Sequence, residues 1–116
     1  MLIWEELLTL DQLIELDKLS FLEYVIIFKH STSCSISEVA KLRLEGESEM
    51  HIKAFNLDLK SHRDISRLIS EKYSIHHESP QILLIKNGEC CYDASHFDIT
   101  ISEFREAINE ANGVLY

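Results

Sequence analysis

Apolar and polar residues change their spacing several times along this chain, and each change marks an element. Leu2-Ile3-Trp4, within Met1 to Leu8, is a short apolar stretch that predicts a peripheral strand. Thr9 with Gln12 three residues later has the spacing of a capping box, in which each side chain satisfies a free backbone N–H, so a helix starts there. Leu10, Leu13, Ile14 and Leu16 or Leu19 mark its apolar face. From Glu23 to His30 the period disappears, and Tyr24-Val25-Ile26-Ile27-Phe28 forms a nearly continuous apolar run. Such a run suits a central strand buried on both faces.

A helical period returns over Ser35 to Leu44, where Ile36, Val39, Ala40 and Arg43 or Leu44 are spaced by three and four, with Gly46 as a stop. Met50 to Leu57 alternates, Ile52, Ala54 and Asn56 opposing His51, Lys53 and Phe55, which predicts another strand. Ser61 opens a further helix with Ile65, Leu68, Ile69 and Tyr73 inward and His62, Arg63, Asp64, Arg67 and Glu71 outward. Gln81 to Ile85 is a short apolar strand, Asn87-Gly88 a strong hairpin signal, and Glu89 to Ser95 the antiparallel partner. Thr100 with Glu103 repeats the capping spacing, and Ile101, Phe104, Ala107 or Ile108, and Ala111 form the face of a last helix before Asn112-Gly113. The order predicts an α/β fold: a parallel βαβ half and an antiparallel ββα half in one mixed central sheet, with helices on both faces.

Length and composition fit one ordered domain spanning 1–116, since 46% of residues are hydrophobic and only three Gly and one Pro interrupt them. The longest apolar runs fall far short of the roughly 20 residues that span a bilayer, and no basic segment followed by an apolar core opens the chain. A cytoplasmic protein without a membrane partner is expected. Twenty acidic against eleven basic residues give a net charge of −9, which repels a phosphate backbone, so nucleic acid is excluded as a partner. Three cysteines, two of them adjacent, make no disulfide framework and fit a reducing compartment. Neither C-x-x-C nor H-x-x-x-H occurs, so no metal site is expected.

The chemistry concentrates at Cys34, where the apolar strand passes through Lys29-His30-Ser31-Thr32-Ser33 into a helical stretch. A helix N-terminus favours a thiolate through its free N–H groups and partial positive charge, and lowers a thiol pKa from about 8.5 into the range of about 3.5 to 7.5. Backbone N–H groups near Ser35, Ile36 and Ser37 are the expected donors. Ser37 stands where a second cysteine would resolve a mixed disulfide internally, so the site works with one thiol. Lys29 and His30 either add positive potential or point away as strand-end residues. Cys90 and Cys91, adjacent on a strand, point to opposite faces, so at least one is expected to be a small buried hydrophobe rather than a resolving thiol. His96 either contacts a ligand or fixes the turn before the last helix, the reading favoured here. His76 and His77 lead into Ser79-Pro80, as contacts for anionic groups or as exposed loop histidines.

Three ordered blocks, Phe28-Lys29-His30-Ser31-Thr32-Ser33-Cys34-Ser35-Ile36-Ser37, Ser79-Pro80-Gln81 and Ala94-Ser95-His96-Phe97-Asp98-Ile99-Thr100, resemble the monothiol bacilliredoxins of the bacillithiol system. The resemblance runs from Trp4 to the last helix. It implies a thioredoxin-like fold in which the reactive cysteine ends the first central strand and a cis proline, here Pro80, faces it. On its dipeptide alone, Pro80 would start a strand through an ordinary trans bond. The resemblance implies Cys34 as the catalytic nucleophile, with Thr32, Ser33, Ser35, Ile36, Ser37, Ser79 and Pro80 stabilising the thiolate or binding the thiol. It implies removal of bacillithiol from mixed disulfides on client proteins, with bacillithiol as co-substrate and no tightly bound cofactor. Family members often carry proline directly after the nucleophile. Ser35 there restores a backbone N–H and loosens the first helical turn. Two other classes share these features: an iron-sulfur binding module like the monothiol glutaredoxins with C-x-x-S sites, and a non-catalytic thioredoxin-fold stress or interaction protein.

Overall fold

The computed structural model describes residues 2–30, 52–95 and 106. Along them run β1 (Leu2–Glu6), α1 (Leu10–Leu19), β2 (Val25–His30), β3 (Ile52–Asp58), α2 (Arg63–Tyr73), β4 (Gln81–Lys86) and β5 (Glu89–Ser95). The helix expected over Ser35 to Leu44 lies outside the described residues, as does the last expected helix apart from Glu106, which is helical.

Local rules set the ends of these elements. Thr9 is extended, its Oγ1 accepts from Gln12 N at 3.2 Å, and Gln12 Oε1 accepts from Thr9 N at 3.0 Å, so the expected capping box starts α1. Only Leu13 and Leu16 of the expected α1 face are fully buried, whereas Leu10 and Ile14 keep 50% and 46% of their surface exposed. The helix meets the sheet along a narrow stripe, and those two residues fall on its flank, lining a shallow groove with Leu68 of α2. α2 begins at Arg63 and not at Ser61, because Ser61 Oγ and Lys60 N both turn to the Asp58 carboxylate, at 3.4 and 3.0 Å, and belong to a turn. Its other end is tied to α1: Tyr73 Oη donates to Asp17 Oδ1 at 2.9 Å, and Lys72 Nζ lies 3.6 Å from Asp17 Oδ2.

The sheet order is β1-β3-β2-β4-β5, with β1, β3 and β2 parallel and β4 and β5 antiparallel. β2 is the middle strand and all six of its residues are buried, as its unbroken apolar run predicts. β3 departs from the expected alternation. Inserted between β1 and β2, it is buried on both faces from Ala54 to Leu57, and Asn56 is accommodated by a 3.2 Å bond from its Nδ2 to Glu6 Oε1. Leu13 and Leu16 of α1 and Ile65, Ile69 and Tyr73 of α2 pack with Val25, Ile27, Leu83 and Ile85 in one core, so both described helices lie on one sheet face.

The β4–β5 hairpin turns at Asn87 and Gly88, whose φ angles of 53° and 73° are the positive pair that a two-residue hairpin requires. Ser20 at the end of α1 clamps it: Asn87 N donates to Ser20 O at 2.8 Å and Gly88 N to Ser20 Oγ at 2.9 Å. Leu84 pairs with Tyr92 and Ile85 with Cys90, which leaves Cys91 as the extra residue of a bulge.

Candidate functional site

β2 and β3 end, and β4 begins, at the same edge of the sheet. His30 pairs with Asp58 and Lys29 with Gln81, so Pro80 sits beside the end of β2, four residues ahead of Cys34 in the sequence. The Ser79–Pro80 peptide is cis, Pro80 is buried and Ser79 is half-buried. Cys34 lies outside the described residues, together with Thr32, Ser33, Ser35, Ile36, Ser37 and His96.

Lys29 and His30 diverge. Successive strand residues face opposite sides, and both are covered: Lys29 is 0% and His30 6% exposed. His30 stacks parallel to Phe28, ring centroids 5.6 Å apart. Lys29 passes under α2, where its Nζ donates to Ser70 Oγ at 3.3 Å and lies 3.1 Å from His77 Nδ1. Ser66, one helical turn before Ser70, places its Oγ 3.1 Å from the same nitrogen, and Ser70 Oγ donates back to Ser66 O at 3.3 Å. Among the described residues no carboxylate pairs with Lys29. Burial pushes its ammonium down from 10.5 to about 8. Burial also lowers His77, and the charge of Lys29 lowers it further, against an opposing pull from Glu78. The proton placement that satisfies these groups near neutral pH puts three protons on Lys29, a lone pair on His77 Nδ1 and a hydrogen on His77 Nε2.

This network backs a cavity of about 640 Å³ lined, among the described residues, by Leu59, Lys60, Arg63, Ser66, Arg67, Ser70, His77 and Ser79. No acidic side chain lines it among the described residues. The outward placing of Arg63 and Arg67 is correct, yet sequence reasoning missed that they line one cavity with Lys60, His77 and the serines of α2. The available signals were a lysine inside an apolar strand and a basic trio at 60, 63 and 67 in an acidic chain.

The remaining thiols behave differently from a nucleophile. Cys90 is half-buried against the core, its Sγ donates to Tyr92 O at 3.3 Å, and burial pushes it up to about 11. Cys91 is exposed, donates to Leu84 O at 3.4 Å and is also raised, chiefly by desolvation. Both are therefore protonated near neutral pH. His76 is an exposed loop residue 3.6 Å from Glu78, its carbonyl accepting from Gln81 Nε2 at 2.9 Å. No three His, Cys, Asp or Glu side chains converge as metal ligands among the described residues, and no described helix is long and apolar enough to cross a membrane.

The mixed sheet has the thioredoxin fold, and the family and structural matches that follow make the chain a thiol redox protein. A solved structure assigned provisionally as an oxidoreductase with a thioredoxin fold is 30% identical, with a TM-score of 0.81, over 90% of this chain and 93% of its own. Thioredoxin of Schistosoma mansoni shares the fold at 19% identity and a TM-score of 0.70, over 92% of this chain and 94% of its own. Thioredoxin of Malassezia sympodialis does so at 17% and 0.69, over 93% and 89%. Residues 5–104 match the family described as monothiol bacilliredoxin BrxC, and the chain belongs to that family.

Proposed function

We propose that this protein is a monothiol thiol–disulfide oxidoreductase that removes bacillithiol from protein mixed disulfides, with Cys34 as its nucleophile. The observation that carries this reading is the family match over residues 5–104, which includes Cys34 and Ser37. The Cys34 thiolate attacks the bacillithiol sulfur, the mixed disulfide breaks, and the client leaves as a thiolate that takes a proton from water. Cys34 then carries bacillithiol in a disulfide. Ser37 has no thiol with which to displace it, so a second bacillithiol thiolate attacks, releasing bacillithiol disulfide and regenerating Cys34. Attack on the client sulfur instead would trap the client. Cys90 and Cys91 are assigned no part, because desolvation raises both thiols and disfavours their thiolates.

The test incubates a bacillithiolated client with wild type, Cys34→Ser and the Cys90→Ala/Cys91→Ala pair. Wild type and the double variant are expected to release bacillithiol at similar rates, and Cys34→Ser not at all. Equal release by wild type and Cys34→Ser would overturn the reading.

A further inference from the structure

Lys29 is the least balanced charge in the described fold. It is 0% exposed, yet its Nζ meets only a hydroxyl, Ser70 Oγ at 3.3 Å, and an imidazole nitrogen, His77 Nδ1 at 3.1 Å. Buried cations are normally matched by a carboxylate, and none pairs with this one among the described residues. More positive charge lies in front of it. Lys60, Arg63 and Arg67 line the cavity that the network of Ser66, Ser70 and His77 backs, and none of the three forms an ion pair among the described residues. Glu78 acts on His77 from the turn before β4, and Cys90, which acts on Lys29 from β5, is a thiol near neutral pH. Four cations therefore surround two serine hydroxyls with no anion between them. Burial also frees the amine of Lys29: with its ammonium lowered to about 8, about one molecule in ten carries the neutral amine at pH 7, against fewer than about one in a thousand for an ordinary lysine. An electrophile that reaches it has to be small and uncharged, because the Nζ is covered. Carbon dioxide meets both conditions.

We propose that Lys29 is a modification site for carbon dioxide, and that the carbamate formed on its Nζ is the anion that Lys60, Arg63 and Arg67 lack. The lone pair of the neutral amine attacks the carbon of carbon dioxide, an N–C bond forms while one C–O π pair moves onto oxygen, and the nitrogen gives one proton to water. No oxidant or reductant takes part. The group changes from a cation to an anion, which reverses its interaction with the three cations of the cavity. The Ser66 and Ser70 hydroxyls rotate to donate to the new oxygens, and His77, an exposed residue, turns aside to give them room. The modification is independent of the redox chemistry proposed above.

The test equilibrates the full-length protein with carbon-13 bicarbonate near pH 8, where the free amine and dissolved carbon dioxide coexist, and follows it by carbon-13 NMR. A parallel sample is ethylated with triethyloxonium to fix the carbamate, then digested and mapped by mass spectrometry. A saturable carbamate resonance is expected, with the trapped group on the peptide that contains Lys29. Both are expected to vanish in Lys29→Arg, which keeps the charge but has no free amine. The α-amino group of the chain also forms a carbamate, and the peptide map separates it from Lys29. Arg63→Gln/Arg67→Gln is expected to raise the bicarbonate needed for half occupancy about tenfold, the scale of two partly exposed charge contacts. Lys18→Gln, a remote exposed cation on α1, is expected to leave it unchanged, which separates a local effect from overall charge. A trapped group on the α-amine alone, or spread over exposed lysines without Lys29, overturns the proposal, and this result comes from wild type and does not depend on how a variant folds. A resonance that persists in Lys29→Arg overturns it as well. An occupancy unmoved by Arg63→Gln/Arg67→Gln overturns the part given to the cationic lining.

Discussion

Lys29 places an ammonium inside a sheet where its strand neighbours Ile27 and Phe28 are fully buried. Its only partners among the described residues are a hydroxyl and an imidazole, and burial leaves it with a pKa of about 8 instead of 10.5. The folded chain therefore holds this proton less tightly than the unfolded chain, so between pH 8 and 10.5 unfolding takes up a proton and stability rises with pH. Below pH 8 the full cost is present, on the order of 3 kcal/mol. Lys29→Met is expected to be more stable than wild type at pH 7 and to lose most of that advantage by pH 10.5. Tyr73 and Cys90, whose raised pKa values weaken both proteins at alkaline pH, cancel in the difference. Urea unfolding across the pH series checks this, and a pH-independent difference would show that Lys29 is not the titrating group. His77 acts in the same sense lower down: its lowered pKa means that stability falls as the pH drops below 6.5. The sequence placed Lys29 at a strand end, either adding positive potential or pointing away. Its destination was not legible, because whether a strand-end side chain turns under a helix depends on what that helix offers, here Ser66 and Ser70.

Elements were legible where a local rule fixes them. Thr9 and Gln12 cap α1 as their spacing predicts, and Asn87-Gly88 turns the hairpin with both φ angles positive. Gly88→Ala is expected to cost about 1 kcal/mol, chiefly from holding a φ of 73°, because the Phe21 ring tip 2.8 Å from the new Cβ can move aside. Thermal or urea unfolding reads it, and a neutral result would mean that the turn relaxes to another type. Ser20→Ala removes the hydroxyl that accepts from Gly88 N and is expected to cost about 1 kcal/mol as well. The sequence was less informative wherever tertiary position overrides a pattern. β3 alternates on paper but is an interior strand buried from Ala54 to Leu57, and Leu10 and Ile14 lie on an α1 face that the sheet does not reach. Neither fact has a local cause.

At the scale of the whole molecule, an acidic chain keeps a basic cavity at the sheet edge where β2 ends. The mixed sheet followed from the order of periods alone, and the three blocks at residues 28–37, 79–81 and 94–100 pointed to the family that residues 5–104 match. The cavity did not follow, because the stretch carrying Lys60, Arg63 and Arg67 meets His77 and Ser79 only through the tertiary path from β3 through α2 into β4. The central claim, that one thiol takes bacillithiol from a client, is tested most directly by intact-protein mass spectrometry of a single turnover with a bacillithiolated client. Transfer of the bacillithiol mass to Cys34, with the client appearing as a free thiol, is the expected result. A client that keeps its bacillithiol, or an adduct on Cys90 or Cys91, would contradict it.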